Sequence, residues 1–99
     1  MLIDLTKENY YTEIKTGLKL VEFYATWCSH CEKQEYELLK LDKVWIGQVD
    51  VDKEEELVIR NAIHSFPTFL IYNDGKEIER FIGYHSKEEI INNLMKYLK

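Results

Sequence analysis

The stretch Val21–Lys33 reads VEFYATWCSHCEK and holds both cysteines of the chain, Cys28 and Cys31. An apolar, β-rich run is broken by one carboxylate, Glu22, passes through Trp27, and delivers two thiols three positions apart. Ser29 to Leu41 favours helix, so the thiols fall where a strand hands over to a helix. With Cys28 opening that helix and Cys31 in its first turn, helix geometry sets their α-carbons roughly 5 Å apart. Disulfides span about 4.4–6.8 Å between α-carbons, so this pair can bond and part with little backbone movement. The sulfur nearer the helix start faces unpaired amides and the positive end of the helix dipole, which favour thiolate over thiol. Cys28 is therefore the expected nucleophile, and the more enclosed Cys31 the expected resolving thiol. A protonated His30 would push the same way. Glu32 opposes it, but its longer side chain can turn into water, so the dipole and His30 are expected to win.

Two other readings of the pair fare worse. Structural zinc usually takes four ligands; no second C-x-x-C exists, and His30, His64 and His85 have no zinc-finger spacing. No metal is expected. A bond closing so short a loop removes little entropy from the unfolded chain, which makes it a poor staple. Inert buried thiols remain the plain structural reading, since free Cys is often simply buried.

The rest of the chain fits a single domain, 1–99. Hydrophobic residues make up 45% and charged residues 31%, a globular balance. Thirteen basic and eighteen acidic side chains give a net charge of −5, which argues against nucleic acid or an anionic membrane as partner. No apolar run approaches the roughly 20 residues that span a bilayer. The start, MLIDLTKENYY, lacks the basic and long apolar segments of a signal peptide, so a cytoplasmic place is expected.

Leu2–Leu5 is a short apolar start. Thr6 is expected to cap a helix through about Lys15, with Tyr10, Tyr11 and Ile14 inward. Leu18–Ala25 reads as a strand covered on both faces, and the helix after it should bring Cys31, Glu35, Leu38 and Leu39 near one another. Val44–Val51 is again β-rich. Asp52 and Glu55 have capping-box spacing and predict a helix through Ile63. PTFLIY and KEIERFI flank Asn73-Asp74-Gly75, a hairpin signal. Ser86 and Glu89 predict a second capping box, before a helix carrying Ile90, Ile91, Leu94, Met95 and Leu98 on one face. The order βαβαβαββα implies a mixed sheet, parallel through the early crossovers and antiparallel at the hairpin, with helices on both faces.

VEFYATWCSHC is similar to the active-site segment of thioredoxins, and its Glu22, Phe23, Tyr24 and His30 bring it nearer to protein disulfide isomerase domains. FPTFLIYNDGKEIERFIG resembles the family's proline loop, hairpin and following glycine. The chain is thus identified as a member of the thioredoxin family over nearly its whole length. The resemblance implies the thioredoxin fold, an α/β architecture with a central mixed five-stranded sheet, and reversible dithiol–disulfide exchange. It implies that Trp27 shields the cysteines and contacts substrate, that Pro67 is cis beside the sulfurs, that the Phe66 backbone pairs with an extended substrate, and that Gly83 leaves room for it. Composition alone would favour a trans Pro67. Glu22 by itself reads as a solvated strand glutamate. The resemblance makes it a buried carboxylate that exchanges protons with Cys31. Trp27 and Phe66 could equally be core, and His64 and His85 read as ordinary loop residues. Ser29 and His30 replace the Gly-Pro common in thioredoxins, which implies a more oxidising couple. Tyr36 stands where the family often has a helix-kinking proline, so a straighter helix is expected.

The expected function is a monomeric cytoplasmic thiol-disulfide oxidoreductase that reduces disulfide-containing protein substrates through a Cys28–Cys31 cycle. It needs no cofactor beyond that redox-active disulfide. A thiol electron donor, with a thioredoxin reductase as candidate, returns it to the dithiol. The alternatives are a disulfide oxidase or isomerase, and a redox-inactive binding module that holds partners on the Trp27–Phe66–Pro67 surface.

Overall fold

The computed structural model describes residues 1–98. Its elements run β1 (Leu2–Asp4), α1 (Tyr10–Glu13), β2 (Leu18–Tyr24), α2 (Ser29–Leu39), β3 (Ile46–Asp50), α3 (Glu55–Arg60), β4 (Thr68–Asn73), β5 (Lys76–Ile82) and α4 (Lys87–Met95). The five strands form one sheet in the order β1-β3-β2-β4-β5. β3 pairs in parallel with β1 and β2, while β4 is antiparallel to β2 and β5. This is the thioredoxin fold, in the element order the sequence implies.

β2 lies between β3 and β4, and its side chains alternate between two cores. Val21 and Phe23 pack with Tyr10, Ile14, Leu57 and Ile63 on the side of α1 and α3. Leu20 packs with Leu38, Ile46, Phe69, Ile71, Ile90 and Leu94 on the side of α2 and α4. A strand covered on both faces has no solvated side to take a charge, so Glu22, next in the Leu20 row, is buried at 1% exposure.

Local chemistry accounts for the hairpin and α4. Asp74 (φ 50°) and Gly75 (φ 85°) are both left-handed, as a two-residue turn matching the strand twist requires. Ser86 accepts from Glu89 N while Glu89 Oε1 accepts from Ser86 N, the capping box in full. α2 runs unbroken past Tyr36.

Four expectations need correction. The helix placed at Thr6–Lys15 is a single turn at Tyr10–Glu13. Asn9 explains why: its side chain accepts from Thr6 N and donates to Asp4 O, folding the preceding backbone into turns that compete with helix. Tyr11, expected inward, is exposed, because Tyr10 and Ile14, four residues apart, share the inner face. Asp52 does not cap α3, which starts after Glu54 without a side-chain cap and ends at Arg60, because the Asp52 carboxylate is used elsewhere. The inner stripe of α4 is Ile90 and Leu94, with Met95 and Leu98 exposed, and Leu39 of α2 is exposed too. The strand expected at Val44–Val51 is limited to Ile46–Asp50.

Candidate active site

Cys28 is the N-cap of α2, with an extended backbone (φ −94°, ψ 120°) that ends the chain's exit from β2 and lets the helix begin at Ser29. In place of the hydroxyl or carboxylate that usually caps a helix, the Cys28 sulfur accepts from Cys31 N at 3.3 Å. Both thiols are free; Cys28 is partly exposed and Cys31 buried. Burial raises the Cys31 thiol most; the hydrogen bond to the Cys28 sulfur and the charges on Cys28 and Glu22 add to the rise, a backbone hydrogen bond to Ala25 opposes it, and the net effect pushes the thiol up to about 12. The two thiols therefore interact but differ in access. No group of three or more His, Cys, Asp or Glu side chains is placed to hold a metal among the described residues.

The loop before β4 brings the rest of the site to these sulfurs. The Cys28 thiol lies 3.7 Å from the Phe66 carbonyl oxygen, the Phe66–Pro67 peptide bond is cis, and Pro67 is buried. Across from it, Gly83 N donates to Pro67 O at 2.8 Å. Gly83 has φ 93°, a conformation that favours glycine, and a Cβ there would meet nothing within 4 Å, so the chain opens outward at that point. Trp27 is 67% exposed, stands edge-on to Phe66 at 6.0 Å between ring centroids, and donates its Nε1 hydrogen to Asp52 Oδ2 at 2.8 Å. Ser29 and His30 are exposed in the first turn of α2, and His64 is exposed in the loop after α3. His85 is more than a loop residue: its ring packs edge-on against Phe81 at 4.7 Å.

Beneath the sulfurs, Glu22 Oε1 accepts from Gln48 Nε2 at 3.0 Å, while its Oε2 is buried without a partner. Desolvation raises the Glu22 carboxyl to about 7, the charge of Glu35 adds to the rise, and the Gln48 hydrogen bond opposes it. Gln48 Nε2 also donates to Glu35 Oε1 at 2.8 Å. A cleft of about 220 Å³, lined by Tyr24, Ala25, Thr26, Cys31, Glu32, Glu35 and Gln48, opens beside this chain of groups.

The structure thus gathers Cys28, Cys31, Trp27, Phe66 and Pro67 in one place, with Glu22 below and Gly83 across the proline loop. Reading the sequence alone missed Asp52 as the partner of Trp27, Gln48 as the partner of Glu22, and Gln34. Gln34 is fully buried and exchanges two 2.8 Å hydrogen bonds with the His85 backbone, fixing the loop before α4 to α2. Gln48 did carry a signal: it is a polar side chain inside an apolar strand, as Glu22 is, and the two are direct cross-strand neighbours.

Comparison with known proteins agrees with this geometry. The family model described as Thioredoxin matches residues 1–96. A thioredoxin of Chlamydia trachomatis is 32% identical over 97 residues, covering 94% of this chain and 95% of that protein. A thioredoxin of Staphylococcus haemolyticus is 30% identical, covering 98% of each. Among solved structures, Chlamydomonas reinhardtii thioredoxin f2 superposes with a TM-score of 0.89 at 24% identity, over 99% of this chain and 97% of that one.

Proposed function

The chain belongs to the thioredoxin family and is a protein disulfide oxidoreductase, and from that premise we propose that it reduces protein disulfides, with Cys28 attacking, Cys31 resolving and Glu22 handling the proton. The observation that carries the reading is the Cys28 sulfur at the head of α2, accepting the Cys31 amide hydrogen and close enough to the Cys31 thiol to raise it.

The Cys28 thiolate attacks one sulfur of a substrate disulfide. A Cys28–substrate disulfide forms, and the other substrate sulfur leaves as a thiolate that takes up a proton. Two of the influences that keep Cys31 protonated, the hydrogen bond to the Cys28 sulfur and the charge on it, disappear once that sulfur is bonded to substrate. Cys31 then gives its proton to Glu22, attacks Cys28 and displaces the second substrate thiolate, which is protonated in turn. Two electrons and two protons pass to substrate, and the protein is left with a Cys28–Cys31 disulfide. An external thiol donor, for which a thioredoxin reductase is the candidate, restores the dithiol. Trp27, Phe66 and Pro67 form the surface on which an extended substrate segment lies, and the open backbone at Gly83 gives it room. Ser29 and His30, between the cysteines, tune the couple.

No helix among the described residues is long and apolar enough to cross a membrane. We place the protein in the cytoplasm as a monomer, where net transfer runs toward substrate reduction. The test is insulin reduction with dithiothreitol. Wild type should accelerate it and Cys28→Ser should not; equal rates would leave only a binding role. The Cys28–Cys31 potential separates reductase from oxidase, since about 30 mV shifts the two-electron balance tenfold.

A further inference from the structure

Gln48 links two carboxylates through one nitrogen. Its Nε2 carries two hydrogens, one directed to Glu22 Oε1 at 3.0 Å and the other to Glu35 Oε1 at 2.8 Å. Glu22 is sealed between β3 and β4, opposite Gln48 and Phe69, whereas Glu35 is partly exposed on α2 and lines the cleft that also reaches Cys31. The titratable groups that face Glu22 are Glu35 and Cys31 from α2 and Tyr24 on its own strand. Its direct partners on β3 and β4, Gln48 and Phe69, carry no charge, Asp50 lies two residues further along β3 opposite Tyr24, and none of the ion pairs among the described residues involves Glu22. Glu22 thus has no cation to hold it ionised and one anion, Glu35, tied to it through a shared donor.

We propose that Glu35 is a positioning residue for the resolving step, acting through the Gln48 amide on the protonation of Glu22. This rests on the proton role given to Glu22 above. A carboxylate forced to hold its proton more tightly is a stronger base once it has lost that proton. The charge of Glu35 therefore strengthens Glu22 as the acceptor for the Cys31 proton, at the cost of needing a higher pH to free it. The cleft beside Glu35 and Gln48 gives water access to the same corner of the site.

Replacing Glu35 with Gln removes the charge, keeps the side-chain length and leaves an oxygen to accept from Gln48. Two carboxylates within about 6 Å in a partly solvated site couple by roughly one pH unit. Two readouts on wild type and Glu35→Gln test the proposal: the NMR titration of the Glu22 side-chain carbonyl carbon in the reduced protein, and the pH profile of single-turnover resolution of a mixed disulfide with a model disulfide peptide. The NMR readout also reports whether the variant is folded. The expected result is that the Glu22 midpoint and the midpoint of the rate profile both move about one unit toward acid, while the rate above the midpoint falls a few-fold. Glu32→Gln, which alters a charge on the same cleft without a bond to Gln48, should move the midpoint much less. An unmoved Glu22 midpoint in Glu35→Gln overturns the inference, whatever the rates do. A moved Glu22 midpoint with an unmoved rate profile removes instead the proton role of Glu22, and the inference falls with it.

Discussion

The indole of Trp27 and the carboxylate of Asp52 are joined by a 2.8 Å hydrogen bond that spans the gap between the cysteine loop and the loop after β3. Both residues are exposed, so the bond is no part of a core. It fixes the orientation of a large apolar ring beside Cys28. A ring held in place before substrate arrives does not have to be ordered on binding, and that saving appears as affinity. Asp52→Ala should free the ring. An exposed hydrogen bond of about 0.5–1 kcal/mol translates into a two- to fivefold rise in KM for a protein disulfide, roughly, with kcat nearly unchanged. Asp52→Asn, which keeps an acceptor, should recover most of the loss. Steady-state kinetics on insulin for the three proteins decides it; a fall in kcat alone would show that Asp52 does not work through Trp27.

Glu22 makes stability depend on pH. Its carboxyl is raised from the ordinary 4.5 to about 7. Between these values the folded protein keeps a proton that the unfolded chain releases, so stability falls as pH climbs through this window and levels off above it. The full effect is about 3 kcal/mol. Glu22→Gln, a neutral mimic of the protonated form, should remove the slope: near wild type in stability at pH 5, and more stable by up to about 3 kcal/mol at pH 8. Urea unfolding of the reduced proteins at the two pH values measures this. Parallel pH dependences in the two proteins would mean that Glu22 is not the titrating group.

Gly47 illustrates a different constraint, one of space. It sits in β3 between β1 and β2, and a Cβ there would run into Leu5 Cδ1 and stand 2.9 Å from Trp45 Cη2. Leu5 is buried in the α1–α3 core and cannot swing away. Gly47→Ala is therefore expected to cost about 1–3 kcal/mol in urea unfolding. Adding Leu5→Ala should bring a smaller further loss than Leu5→Ala causes alone, because the two changes share one space. Strict additivity would show that the crowding is relieved elsewhere.

These cases mark what the chain reveals before it folds. The handover from β2 to α2 at Cys28, the Asp74-Gly75 turn and the Ser86–Glu89 cap are each written in a few adjacent residues, and each was legible. The helices at Thr6 and Asp52 were misread because side chains with a local use were taken by other partners: Asn9 by the Asp4 and Thr6 backbone, Asp52 by Trp27. The Glu22–Gln48–Glu35 link was out of reach for another reason. It needs β3 to lie beside β2 in a register that sets residue 22 against residue 48, and α2 to cross above them. No local spacing records that register. Glu22 stood out as a charge in an apolar run; what it would touch did not.

In the proposed cycle, the burial that separates the two thiols sets the order in which they react. Cys31, pushed up to about 12, is a neutral thiol at pH 7 and a poor nucleophile toward anything arriving from solvent. Cys28 is partly exposed, and its sulfur accepts a backbone amide hydrogen that remains whatever side chain occupies position 31. Cys31→Ser should thus keep the attack and lose the resolution. With a disulfide-bonded peptide in excess, this variant should accumulate a one-to-one adduct at Cys28 that persists more than about a hundredfold longer than in wild type, since a hydroxyl does not replace a thiolate in disulfide exchange. Cys28→Ser should form none. Intact-mass spectrometry under non-reducing conditions distinguishes the two. An adduct on Cys31 in the Cys28→Ser variant, formed as fast as the one on Cys28, would reverse the assignment, because it would mean that depth in the fold does not keep the inner sulfur from substrate.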